Sequence, residues 1–252
     1  YISGTSTGSA IAALYAMGYT PEEIKEICKE KNKKILKIRK KVLCQMAINF
    51  LLHKETRVEG IIDGKLVENF INEAAKEKGK NIITDFKEKQ LAIATVDTIS
   101  MKECLFISNE IKNKDENIEY ITDINIGKAV RSSMAFPAIF TTSNYEKYNF
   151  IDGGTVDNLP VQVLKDMGAT KTIAISFDLN KYTPSKSLEG VLVRALDIFS
   201  HSGVENARKL ADIAIEIYNP DTSLLSMDEI EKTIENGYKA VMEQREKITE
   251  EI

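Results

Sequence analysis

Residues 4–9, Gly-Thr-Ser-Thr-Gly-Ser, set a serine between two glycines at Gly-x-Ser-x-Gly spacing. A serine hydroxyl is a weak nucleophile at neutral pH, so it needs a base and a stabilised oxyanion. The spacing suits both needs when a strand precedes it and a helix follows. Tyr1-Ile2-Ser3 reads as a strand end and SAIAALYAMG as an Ala-rich helix, so Ser6 is the candidate nucleophile. Gly4 and Gly8 are expected to let strand and helix pass close together, and the Thr7 N–H is the natural first oxyanion donor. A phosphate-binding loop is rejected because GTSTGS lacks the Gly-Lys-Ser/Thr ending.

The usual base is histidine. The chain has two, His53 after an apolar helix and His201 within LDIFSHSGVENA, and neither carries a turn signal that would set it at a strand end. A strand-end carboxylate fits better. Asp152 in FIDGG stands on a glycine turn where Gly153 and Gly154 admit another backbone, and Asp178 at the end of KTIAISFD is its rival. Ser132 and Ser133 lack flanking glycines and are set aside as nucleophiles, while Asp157 and Asn158 are read as shaping the turn and capping the next helix.

The surrounding elements must bring these residues together. Gly18 stops the first helix, and Thr20-Pro21-Glu22-Glu23 starts the second with a capping signature. Asp63 opens an amphipathic helix that ends at Gly79. LAIATVD (91–97) and ECLFIS (103–108) read as strands joined by a short turn. A helix over 125–140 breaks before Pro137. YNFIDGG follows as a strand, then a short helix over 159–169 and a buried strand over 171–178. The pattern returns to helix over 186–209 and strand over 213–220, and one long polar helix closes the chain. Alternating strands and helices predict a single α/β domain over 1–252 with a largely parallel sheet covered on both faces.

Composition is that of a soluble globular protein, 43% hydrophobic and 29% charged, and a net charge of −4 gives no electrostatic case for nucleic acid. Cys28, Cys44 and Cys104 are too few and too scattered for a disulfide framework or a zinc site, which favours a reducing compartment and a cytoplasmic location. No metal or organic cofactor is implied. Residues 29–41 carry eight Lys or Arg against Glu30 alone and run into an apolar stretch, so 29–52 is a candidate for peripheral contact with an anionic membrane surface.

GTSTGS, then AVRSSMAFPAIF, then FIDGGTVDNLPVQVLKDMGA, in that order, resembles the patatin-like phospholipase family. LAIATVDTISMKECLFIS is similar to that family's strand pair ahead of the Arg-Ser-Ser segment, so the likeness covers roughly 1–178. The resemblance implies a three-layer α/β/α fold with a mainly parallel central sheet and a Ser-Asp dyad without histidine. Ser6 would be the nucleophile and Asp152 the general base, hydrolysing lipid acyl esters of the phospholipase A or lysophospholipase type. It places Arg131 beside the active-site wall. It also implies a glycine-rich oxyanion segment upstream of the serine turn. The expectation is that a strand, this loop and a helix are missing from the 252 residues, and that catalysis by these residues alone is impaired. Two other readings stay open: a non-catalytic lipid-surface or regulatory module that keeps the fold, and an esterase or thioesterase for soluble substrates.

Overall fold

The structure, a computed structural model, describes residues 1–35, 60–112, 114–178, 188–218 and 230–251. The chain opens with β1 (Ile2–Thr5), α1 (Thr7–Met17) and α2 (Pro21–Ile35), and resumes at β2 (Gly60–Ile62) and α3 (Lys65–Glu77). Then follow β3 (Leu91–Asp97), β4 (Glu103–Ile107), β5 (Ile118–Ile121), α4 (Ile126–Ser133), β6 (Ala138–Phe140), β7 (Ser143–Tyr145) and β8 (Tyr148–Asp152). The last elements are α5 (Gln162–Asp166), β9 (Ile173–Phe177), α6 (Leu188–Leu210), β10 (Ile213–Ile217), α7 (Ile230–Glu243) and α8 (Arg245–Glu251).

Local chemistry sets the helix ends. Gly18 closes α1 at φ 96°, and the N–H groups of Gly18 and Tyr19 return to the carbonyls of Tyr15 and Leu14. Thr20 and Glu23 exchange reciprocal bonds, Thr20 N–H to Glu23 Oε2 and Glu23 N–H to Thr20 Oγ1, at the start of α2. The Asp63 carboxylate accepts the Lys65 N–H ahead of α3.

The central sheet is mixed, which corrects the expected mainly parallel one. Its order is β5-β4-β3-β8-β7, with β1 also paired to β3. The β1–β3 and β4–β5 pairs are parallel; β3–β4, β3–β8 and β7–β8 are antiparallel. The cause is connection length. Residues 98–102 and 146–147 are too short for a crossover and can only reverse the chain. β9 and β10 form a separate parallel pair, and β2 pairs with β6. The 171–178 segment, expected as a buried strand, buries Ala174 but leaves Ile173, Ile175 and Phe177 exposed.

Both faces of the central sheet carry helices. On one face Ile93, Cys104, Phe106 and Phe150 pack with α1, α3 and α4; on the other Ala92, Ala94, Leu105 and Ile107 pack with Val163 of α5. The Phe106 ring meets Phe150 edge-on at 5.2 Å, anchoring β8 two residues before Asp152 and contributing about 1 kcal/mol beyond simple burial. The closing helix expected as one piece is divided at Gln244 into α7 and α8.

Candidate active site

One edge of β3 is shared by two strands placed end to end. β1 pairs with Leu91–Ala94, so Thr5 lies beside Ala94; β8 runs the other way along Thr95–Asp97, so Asp152 lies beside Thr95. The C-terminal ends of β1 and β8 therefore meet at adjacent residues of one strand. Ser6 follows the first and Asp152 ends the second, and Ser6 Oγ donates to Asp152 Oδ2 at 2.6 Å.

Ser6 occupies a backbone conformation seldom taken by a residue with a side chain, φ 53° and ψ −129°. Such a conformation costs about 1–3 kcal/mol and persists where the surroundings hold it. They do so here. The Ser6 N–H donates to Ser133 Oγ at 2.9 Å, and Ser133 Oγ in turn donates to the Ala94 carbonyl at 2.6 Å. The Ser6 carbonyl accepts from the Ser9 N–H and the Ser9 hydroxyl, at 2.9 and 2.6 Å. Gly4 is needed for the turn to close, because a Cβ there would lie 2.5 Å from the Gly8 carbonyl oxygen. Gly8 is different: a Cβ added to it meets nothing within 4 Å. The two glycines of the motif thus have unequal parts, where the spacing alone gave them one role.

Thr7 and Gly8 open α1 and are exposed, while Ser6 is half-buried. First-turn N–H groups have no intrahelical acceptor, so the Thr7 N–H and the positive end of α1 lie beside any negative charge that develops next to Ser6 Oγ.

Asp152 is 1% exposed and held on every side. Its N–H donates to the Ala135 carbonyl, Oδ1 accepts the Gly154 N–H at 2.8 Å, and its carbonyl accepts the Thr155 hydroxyl. Burial pushes its pKa from 3.8 up to about 6, and the bonds from Ser6 and the Gly154 N–H pull in the opposite direction. The feebleness of an ordinary aspartate as a base is thereby partly removed. Gly153 lets the turn lie against β3, since a Cβ there would sit 2.4 Å from the Ala94 carbonyl oxygen. A Cβ on Gly154 would crowd Asp152 Oδ1 and Asn158 Oδ1 at 3.1 Å.

The other candidates separate. Asp178, the rival base, stands beyond β9 with its N–H on the Ile217 carbonyl. His201 is exposed on α6, and His53 lies outside the described residues, as does most of the basic and apolar stretch 29–52. Arg131 is buried, and its guanidinium binds the carbonyls of Asp63, Thr141 and Thr142 and the Thr141 hydroxyl. The α4 residue that reaches Ser6 is Ser133, two positions on. The sequence raised Ser133 only as a rejected nucleophile; in the structure its hydroxyl holds the Ser6 backbone. Arg131→Met leaves those carbonyls without their donor; an expected loss of about 2–4 kcal/mol, read as a lowered Tm, accompanies Ser6 reactivity that survives below the new Tm.

Among the described residues no group of three or more His, Cys, Asp or Glu is arranged to hold a metal ion, and no helix is long and apolar enough to cross a membrane. The described chemistry is that of a hydroxyl, a carboxylate and backbone donors.

The chain is similar to known proteins. It is 30% identical over 178 residues to an uncharacterized protein of Acanthamoeba polyphaga mimivirus, covering 70% of this chain and 54% of that one. It is 25% identical over 170 residues to the uncharacterized protein YqhO of Bacillus subtilis, covering 64% and 55%. The chain spans about half the length of these curated relatives. The crystal structure of VipD from Legionella pneumophila matches 70% of this chain and 33% of its own at 15% identity, with a TM-score of 0.35. The family model of the patatin-like phospholipases matches residues 1–165, a span that holds both Ser6 and Asp152, and the chain belongs to that family.

Proposed function

We propose that the protein is a serine acyl hydrolase that cleaves lipid acyl esters through a Ser6–Asp152 dyad. The observation that carries this reading is the 2.6 Å bond from Ser6 Oγ to a buried carboxylate of raised proton affinity, at a strained turn opening a helix. Membership of the patatin-like phospholipase family supports the acyl-ester substrate class.

In this mechanism Ser6 Oγ attacks the ester carbonyl carbon while its proton passes to Asp152 Oδ2. The tetrahedral oxyanion faces the Thr7 N–H and the end of α1, where fixed dipoles act without reorganising. Collapse expels the alcohol, which takes the proton from Asp152, and leaves an acyl-serine. Water then attacks the acyl carbon, gives its proton to Asp152 and releases the fatty acid as the proton returns to Ser6. Asp152 must begin each half-reaction ionised, so kcat/KM rises as pH increases through about 6.

The test is intact mass of the full-length natural protein after incubation with an organophosphonate serine probe, with Ser6→Ala as control. A single adduct located on Ser6 and missing from the control is the expected result. A folded full-length protein that takes up no adduct at Ser6 overturns the reading.

A further inference from the structure

A cavity of about 350 Å³ opens where the start of α3, one face of α4 and the segment between β6 and β7 meet. Three cations line it, Lys65, Lys128 and Arg131, against two carboxylates, Asp63 and Glu68; the rest of the wall is threonine and asparagine. No apolar side chain takes part, so the cavity suits a hydrophilic ligand and has nothing to offer an acyl chain.

The cations are gathered and the carboxylates only partly answer them. Lys128 and Arg131 stand three positions apart on α4 and so share one face of it. The Arg131 guanidinium is fixed by the carbonyls of Asp63, Thr141 and Thr142 and by the Thr141 hydroxyl, uncharged acceptors that do not cancel its charge. It lies against Gly64, where a Cβ would sit 2.9 Å from its Nε. Asp63 Oδ1 is engaged with the Lys65 N–H at 2.7 Å, and Glu68 Oε2 approaches the half-buried Lys128 Nζ only to 3.9 Å, beyond hydrogen-bond range. Burial holds the Lys128 ammonium below its usual pKa; Glu68 opposes that, and Arg131 and Lys65 add to it. A bound anion would relieve this crowding of like charge.

We propose that this cavity binds a phosphate dianion, as inorganic phosphate or as a phosphate monoester, and that the bound anion steadies α4 and through it the Ser6 turn. A tetrahedral dianion presents several acceptor oxygens, so the Lys65 and Lys128 ammonium groups can both donate to it within the field of Arg131. The ligand is distinct from the ester under attack. Ser133 bonds to Ser6 and Ala94 while Arg131 bonds to Asp63 and Thr141, and two positions of a helix turn through about 200°, so α4 stands between cavity and nucleophile. The same helix connects them. An anion that holds the Lys128 and Arg131 face also holds Ser133 Oγ, the acceptor of the Ser6 N–H. This connection rests on the reading of Ser6 as the nucleophile; the binding site does not.

Calorimetric titration of the full-length protein with inorganic phosphate and with glycerol 3-phosphate, at constant ionic strength, tests the site. Lys128→Gln should weaken binding by about tenfold or more, the loss expected for one charge-assisted bond. Glu68→Gln removes a competing carboxylate and should tighten it by about threefold. Lys65→Gln, at the exposed rim, is a second weakened variant that serves if Lys128→Gln does not fold. Flotation with phosphatidylcholine vesicles, with and without phosphatidic acid, separates the sources: a headgroup ligand gives capture that needs phosphatidic acid and falls about tenfold in Lys128→Gln, with no heat from the soluble phosphates. Affinity for phosphate that is equal in wild type and the lysine variants overturns the site. So does absence of heat together with vesicle capture that the lysine variants leave unchanged. The labelling rate of Ser6 by an organophosphonate then reads the connection, and the saturating ligand should raise it about fivefold, the low end of ordinary coupling between sites. An unchanged rate overturns the effect on Ser6. No labelling in either condition sinks the reading of Ser6 and this connection with it, and the titration still decides the site.

Discussion

Asp152→Asn should lower the rate of Ser6 acylation by about 10³–10⁴ while raising the Tm of the protein. The amide is nearly isosteric with the carboxylate. Its oxygen can still accept the Gly154 N–H that Oδ1 accepts, and its NH₂ can donate to Ser6 Oγ where Oδ2 now accepts. What the amide lacks is proton affinity, so Ser6 attacks without a base and only the oxyanion donors and substrate positioning remain. The acid limb of kcat/KM near pH 6 should vanish with the carboxylate. Stability moves in the opposite direction. The folded pKa lies above the unfolded value, so the charged form is disfavoured by folding: stability present below about 3.8 is lost as pH rises to about 6 and stays lost above it. The rise from 3.8 to about 6 corresponds to about 3 kcal/mol, the upper bound on what Asp152→Asn recovers at neutral pH. Thermal unfolding at pH 7.5 and pH 4 checks this, with the Tm gain expected at the higher pH and nearly absent at the lower. A variant that keeps wild-type acylation would remove Asp152 from the chemistry. One that loses activity with no gain in Tm would show that the buried charge is solvated better than its surroundings imply.

The elements were legible wherever a pattern is local. The stop at Gly18, the capping exchange of Thr20 with Glu23 and the strands over 91–97 and 103–107 each follow from a few adjacent residues. Pairing was less legible, because hydrophobic pattern records burial and not which neighbour provides it. Leu91–Asp97 is buried throughout, as in a strand of a parallel sheet, yet two of its three partners run antiparallel. The meeting of Ser6 with Asp152 spans 146 positions and depends on β1 and β8 sharing one edge of β3, which no local signal encodes. The bonding of Ser133 escaped notice for a related reason. It bonds to residues far along the chain, Ser6 and Ala94, and nothing beside it in sequence marks those partners.

The motif also looks symmetric about Ser6 and the structure is not, which leads to a second large effect. Gly4→Ala should disable the serine turn, and Gly8→Ala should leave the fold intact. The Cβ of an alanine at position 4 would lie 2.5 Å from the carbonyl oxygen of Gly8, 2.6 Å from its carbon and 2.8 Å from the Ser9 nitrogen. All three are backbone atoms of the first turn of α1, so no side-chain rotation relieves the contact. The strand and helix must separate by close to about 1 Å, a displacement that typically costs about 10² in rate when it reaches a reacting group. Overpacking of this kind also costs about 1–3 kcal/mol. At Gly8 an added methyl meets nothing within 4 Å, and alanine is the better helix former by up to about 1 kcal/mol, so Gly8→Ala should match or exceed the wild-type Tm. Phosphonate labelling rate at Ser6, measured beside Tm, separates the two variants. Gly4→Ala labelled at the wild-type rate with unchanged Tm would mean that the turn does not need the close approach. Gly153→Ala offers a parallel case from the other partner, because its Cβ would meet the Ala94 carbonyl oxygen at 2.4 Å. That same carbonyl accepts the Ser133 hydroxyl, so pushing the Asp152 turn off β3 also disturbs the group that holds the Ser6 backbone. Ser6 and Asp152 thus depend on one carbonyl of one strand, and a methyl group placed on either approach to it should cost the pair its geometry.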